Sequence, residues 1–319
     1  MSTLPAVLRP SGLSWTVLRL HRGALITWGS FVAAVVAVLV WTNEVTADAA
    51  LREQASCARR STCSVPETMA YSERIGWIGT FICFSFLVVA AFAGGALTGR
   101  ELENGTAELA WTQSVTPTRW LAAKLAWPAL LLVTSGTVLV VTYRWAWSAH
   151  RNLMSDDWST VTVFAARGPL VVAYALCALA LGALTGIVLR RALPALAASL
   201  FLLFVLYSVL LIFRWDLWPS ASRVAAVSDP SAVPEGAHEL GWGAITASGA
   251  HREGVHCGSN VTSEGLERCL AGRGLSATYV EYQPESHYWP LHLVETGVVL
   301  AVAVLATGCA FWLLRRRTA

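Results

Sequence analysis

Charge is what this sequence has least of. Only 13% of its 319 residues are Asp, Glu, Lys or Arg, Lys124 is its one lysine, and 55% are hydrophobic. With a mean hydropathy of +0.54, that balance excludes an ordinary soluble domain and indicates a membrane protein. No Gly-x-x-x-x-Gly-Lys-Ser/Thr phosphate loop occurs, so the chain shows no means of binding ATP itself. No Gly-x-Ser-x-Gly elbow supports a serine hydrolase. Its apolar runs hold no paired carboxylates and no chain of His or Lys, which argues against a carrier powered by ions or protons. Glu295, beside the last run, comes nearest to an intramembrane acid and is read as facing water.

Six charge-free runs are each long enough for the roughly 20 residues that cross a bilayer as helix. They are 23–42, 75–99, 125–143, 168–189, 192–213 and 296–314. In lipid each must satisfy its own backbone polar groups, which leaves a helix or a closed barrel. Continuous rather than alternating hydrophobicity rejects the barrel. The sequence therefore indicates an all-α membrane protein with six transmembrane helices. Ala47-Asp48-Ala49 resembles a signal-cleavage site, but the preceding run exceeds the 7–15 residues usual for a signal and is read as a retained span.

Orientation follows from where the basic residues lie. With both termini placed inside, segments 1–22, 99–124, 190–191 and 315–319 hold eleven Arg or Lys and three acids. The outer segments 43–74, 144–167 and 214–295 hold twelve and seventeen, over about two and a half times the length. Basic density is thus higher inside. Residues 12–22 suit an amphipathic helix on the inner membrane surface, or a plain extension of the first span. Segment 214–295, rich in Gly, Ser and Pro, reads as an ordered outer cap with few strong helices. Tryptophans near the expected boundaries, among them Trp41, Trp145, Trp147, Trp158, Trp289, Trp120 and Trp312, read as an interfacial belt.

Four of seven cysteines fall in outer loops, the oxidising side. Pairs Cys57–Cys63 and Cys257–Cys269 are the simplest of three connectivities, and four free thiols are the alternative. His251, His256 and Cys257 form a loose candidate metal cluster, but their spacing is irregular for zinc. The second and fourth runs share five letters, Gly95-Ala96-Leu97-Thr98-Gly99 and Gly182-Ala183-Leu184-Thr185-Gly186. Gly-x-x-x-Gly lets helix backbones approach closely, so Gly95, Gly99, Gly182 and Gly186 are candidate packing positions.

One inner segment is long enough for structure of its own: Arg100 to Lys124, RELENGTAELAWTQSVTPTRWLAAK. It carries Glu101, Glu103 and Glu108, the cations Arg100, Arg119 and Lys124, and a Gly105-Thr106 step. Thr116 suits a helix N-cap and Pro117 the first helical position. The pattern indicates a short helix, a turn and a new helix, gripped from outside by a partner.

This stretch resembles the cytoplasmic coupling segment of type-2 ABC exporter permeases. The matching positions are Glu101, Glu103, Gly105, Thr106, Thr116, Pro117, Arg119 and Lys124, and the six-helix topology with a large outer loop before the last helix agrees. The resemblance implies a transmembrane permease subunit of an ATP-driven exporter, with no catalytic site and no cofactor of its own. ATP and Mg would sit on a separate ATP-binding subunit, present in two copies. A second permease copy, identical or related, would complete the pathway. Glu101, Glu103 and Glu108 would pair with basic residues of the ATPase, with Leu102, Leu109 and Trp111 as apolar contacts. Trp111 with Gln113, and the long first outer loop, depart from the pattern and leave the substrate class open. Apolar spans suit a hydrophobic or amphiphilic cargo, and the arginine-rich composition suggests a bacterial cell membrane. The rival reading is a non-transporting sensor that binds through its outer loops; a membrane enzyme using the His/Cys cluster ranks third.

Overall fold

A computed structural model of the chain describes residues 19, 21–58, 63–113, 115–225, 233–246, 248–253 and 262–318. Most of the expected surface helix over 12–22 lies outside the described residues. α1 (Arg22–Trp41) runs through a π-helical turn (Thr42–Thr46) into α2 (Ala47–Cys57). α3 (Pro66–Ala91) runs through a second (Phe92–Gly99) into α4 (Arg100–Glu103). α5 (Thr106–Thr112), α6 (Pro117–Ala149), α7 (Val161–Ala166), α8 (Leu170–Leu189) and α9 (Ala192–Phe213) follow. The last segment holds β1 (Ala221–Ala225), β2 (His238–Thr246), β3 (His251–Glu253), α10 (Ser263–Gly272), β4 (Leu275–Gln283) and α11 (Tyr288–Thr318).

Among the described residues, six continuous helical stretches are long and apolar enough to cross a membrane: Arg22–Cys57, Pro66–Glu103, Pro117–Ala149, Leu170–Leu189, Ala192–Leu217 and Glu285–Thr318. The chain is a multi-pass, all-α membrane protein. Several helices outrun their apolar cores because the flanking residues are themselves good helix formers, as in Ala49-Ala50-Leu51-Arg52-Glu53-Gln54. Ala47-Asp48-Ala49 accordingly sits inside a helix. α2 and α3 are joined through the Cys57–Cys63 disulfide, with Cα atoms 5.4 Å apart. Cys269 is also disulfide-bonded, while Cys257, its expected partner, lies outside the described residues.

α8 is the hub of the bundle. Fifteen of its twenty residues are buried, and it contacts α3, α6, α9 and α11. Its Ala, Gly and Leu side chains let several helices crowd around one axis. The two five-letter repeats face one another: a Cβ at Gly182 would lie 2.7 Å from the backbone nitrogen of Gly94, and one at Gly186 would lie 3.0 Å from that of Gly99. α9 closes on the other side, where a Cβ at Gly99 would meet the Ala192 Cα at 3.0 Å and one at Gly95 the Leu196 side chain at 3.3 Å. At Gly99, Gly182 and Gly186 backbones this close require glycine. α1 lies at the opposite extreme, with only Val35 and Leu39 buried.

Segment 214–295 contains a four-stranded antiparallel sheet in the order β1-β4-β2-β3. The sequence reading of an ordered cap contained no sheet. The glycines of β2 and a register shift between Glu239 and Gly241 blur the alternation that marks a strand. Gln283 fixes the sheet to the bundle: its side-chain amide donates to the Trp215 and Trp218 carbonyls at 3.1 and 2.9 Å. Three tryptophans assigned to the boundary belt are core residues instead. Trp120, Trp147 and Trp158 are at most 3% exposed, and the Trp158 indole donates to the Gly236 carbonyl at 2.6 Å. Trp41, Trp145, Trp289 and Trp312 are exposed.

Candidate functional site

Residues 100–124 fold as a helical hairpin at one end of the bundle, opposite the sheet. Gly105 joins α4 to α5 at φ 70°, a left-handed conformation that glycine adopts without strain. α6 starts as the sequence indicates. The Thr116 hydroxyl accepts from the Arg119 N–H at 3.4 Å, and Pro117 takes the first helical position.

Lys124 anchors the hairpin from within. Its side chain is 3% exposed, and its ammonium donates to Glu101 Oε1 at 2.5 Å and to the Leu97 carbonyl at 3.0 Å. Leu97 lies in the π-helical turn, whose wider winding disturbs the regular carbonyl ladder. The Thr98 hydroxyl donates to the Ala93 carbonyl at 3.1 Å in the same turn. Trp120 packs its ring 5.3 Å from the Lys124 ammonium. One lysine of α6 thereby holds the exit of the α3 stretch and the first helix of the hairpin.

The other two carboxylates also reach residues of this chain. Glu103 Oε2 accepts from the Ala192 N–H at 2.9 Å, satisfying a free donor at the start of α9. Glu108 lies 3.8 Å from the Arg190 guanidinium across an exposed contact. Nearby, Arg317 donates to the Ile187 carbonyl at 2.5 Å and caps α8. Leu102, expected to contact a partner, is buried inside the chain. What the hairpin presents outward is Leu109, 60% exposed, and Glu108, whose side chain is 61% exposed, with Glu103, Asn104, Thr106, Thr112, Gln113, Thr116 and Arg119.

Sequence reasoning missed Leu97, Ala192 and Arg190 as parts of this arrangement. One signal was present: Trp120, Leu121, Lys124 and Leu125 follow helical spacing, so the only lysine shares a face with apolar residues.

At the other end of the bundle, Glu295 does not face water. It is fully buried and paired with the equally buried Arg214 at 2.8 and 3.1 Å, and the Tyr174 hydroxyl donates to it at 3.1 Å. The Arg214 guanidinium lies 4.4 Å over the Phe164 ring. A buried charge requires such a partner, because desolvation without one is prohibitive. The pair joins α9 to α11 and, through Tyr174, to α8. Of the loose His/Cys cluster, His251 stacks on Tyr279 at 4.2 Å, and His256 and Cys257 lie outside the described residues. No group of three or more potential metal ligands occurs among the described residues.

A family model described as ABC-2 membrane transporter related matches residues 29–214, which include the whole hairpin and all or most of each of the first five spans. No curated protein and no solved structure matches the chain. With more than half of its length matched and six membrane-crossing helices in place, the chain belongs to the ABC-2 membrane transporter related family and is a permease component of an ABC transporter.

Proposed function

We propose that this chain is the membrane-spanning subunit of an exporter, and that a separate ATP-binding subunit drives it through residues 100–124. The hairpin face lies in the cytoplasm in this reading and the sheet faces outward, as the basic residues at 190–191 and 315–317 favour. Two ATP-binding subunits, carrying ATP and Mg, act on two permease copies in a bacterial cell membrane. The cargo is hydrophobic or amphiphilic.

The observation that carries this reading is the attachment of the hairpin. A force applied to α4 and α5 reaches α3 through the continuous helix, α6 through Lys124 and α9 through Glu103. An isolated loop would absorb that force; a hairpin fastened to three spans transmits it. Glu101 and Glu103 serve as fasteners within the chain in this reading, and the grip of the ATPase falls on the outward surface around Glu108 and Leu109. Residues Glu101, Glu103, Gly105, Thr106, Glu108, Arg119 and Lys124 all belong to the coupling unit, with different tasks.

Permease-dependent ATP hydrolysis tests it, in vesicles containing this chain and its ATP-binding subunit. Leu109→Asp alters an exposed side chain and is expected to abolish the modulation of hydrolysis while the permease still elutes as a folded species. Unaltered modulation in Leu109→Asp would overturn the assignment and favour the sensor reading.

A further inference from the structure

Between α1, α3 and α6 runs a cavity of about 950 Å³, open at the side of the bundle. Its walls include Trp28, Phe31, Phe84, Phe92, Trp127 and Leu131. Four polar side chains along it are turned into the protein. The Trp28 indole donates to Ser135 Oγ at 2.8 Å, and Ser85 to the Ile82 carbonyl at 2.8 Å. Thr80 and Thr134 donate to the Gly76 and Leu130 carbonyls, each at 3.0 Å. The walls therefore offer mainly hydrocarbon and aromatic faces, with the Thr80, Ser85 and Thr134 hydroxyls spent on their own helices.

Two further observations identify the occupant. Along α1 and its N-cap the lining runs from His21 to Phe31, eleven residues or about 15 Å of helix. That equals half of the roughly 30 Å hydrocarbon thickness, the depth of one leaflet. The hairpin-side end of the groove is also its basic end, where the exposed Arg22 and Arg19 flank His21 of the wall in sequence. The His21 Nε2 is buried without a partner. Basic side chains at the headgroup level attract an anionic phosphate.

We infer that this groove is a binding site for an anionic phospholipid of the hairpin-side leaflet, with an acyl chain between α1, α3 and α6 and the phosphate at the His21 end. A groove between spanning helices borders hydrocarbon, and the buried unpartnered polar atom of its wall, His21 Nε2, lies at the end where the phosphate is placed. The inference rests on the membrane-spanning fold and not on the coupling assignment, so either can fail alone.

Phosphatidylglycerol bearing a photoreactive group midway along one acyl chain tests it, as a minor component of phosphatidylcholine vesicles containing the full chain. Labelled peptides are expected to concentrate in 80–92 and 127–134. Val88→Trp and Leu130→Trp, both at exposed positions in the groove wall, are expected to reduce labelling about tenfold, the scale of 1.4 kcal/mol of lost affinity. Val304→Trp, exposed on α11 outside the groove, should leave it unchanged. Arg22→Gln with His21→Gln should reduce labelling by this lipid and not by a photoreactive phosphatidylcholine. Uniform labelling of all lipid-facing helices would overturn the site. So would groove variants that change the oligomeric state without changing labelling, since a second copy would then fill the groove.

Discussion

Removing one partner of the Lys124–Glu101 pair should cost far more than removing both. Lys124 has a side chain 3% exposed and Glu101 one 15% exposed, with the ammonium also bound to the Leu97 carbonyl. Breaking a buried pair from one side costs about 3–5 kcal/mol, because the remaining charge is stranded. In Lys124→Met the orphaned Glu101 can still reach water, which places that variant at about 3 kcal/mol. In Glu101→Leu the buried ammonium cannot, which places it at about 5 kcal/mol. The double variant strands no charge and replaces the pair with apolar groups, so it should be less destabilised than the sum by at least about 3 kcal/mol. Equilibrium unfolding in mixed detergent micelles measures each corner of the cycle. Single variants that add to within about 0.5 kcal/mol would refute a direct buried pair. The same cycle separates stability from coupling: a stable double variant should still couple poorly, because α6 no longer holds the hairpin.

Three further outcomes follow from the packing and charges described. Arg214→Met should destabilise the bundle by about 3–5 kcal/mol by stranding Glu295, and Arg214→Met/Glu295→Leu should recover most of that loss in the same unfolding assay. Gly182→Val should push α8 off the α3 stretch and cost about 1–3 kcal/mol or prevent folding, whereas Gly297→Ala, with open space at its Cβ, should be silent by thermal unfolding. His238 sits 4.2 Å from the Trp215 ring, and burial holds its pKa below the ordinary 6.5 against the opposing pull of Asp157 and Glu239. Its folded form therefore favours the neutral ring, so its contribution is present above pH 6.5 and is lost as pH falls through the lowered value. Tryptophan fluorescence should change over that acid range in the wild type and not in His238→Phe; an identical profile in both would contradict the assignment.

How much of this was legible in the sequence depends on the range of each interaction. The spans were readable because each apolar run must solve its own backbone problem in lipid, without help from distant residues. The start of α6 was readable for the same reason, since Thr116 and Pro117 act within one turn. The two glycine repeats pointed to close packing, yet nothing in either predicted that they would face each other. Pairing across helices was hidden. Glu295 was read as facing water because its partner, Arg214, lies 81 positions away. The contacts of the acidic run 101–108 within the chain were hidden because they fall at Lys124, Ala192 and Arg190. The sheet was hidden by glycine and by its register shift, which disturb the period-two pattern.

The central claim is that the ATP-binding subunit grips the outward surface of the hairpin while Lys124 ties it to the spans. A photoreactive amino acid placed at position 109 of the intact complex tests this most directly. The account predicts a cross-link to the ATP-binding subunit from position 109 and none from position 304 on α11, with the yield changing when ATP is added. No cross-link from position 109, in a complex that still hydrolyses ATP in response to the permease, would contradict it.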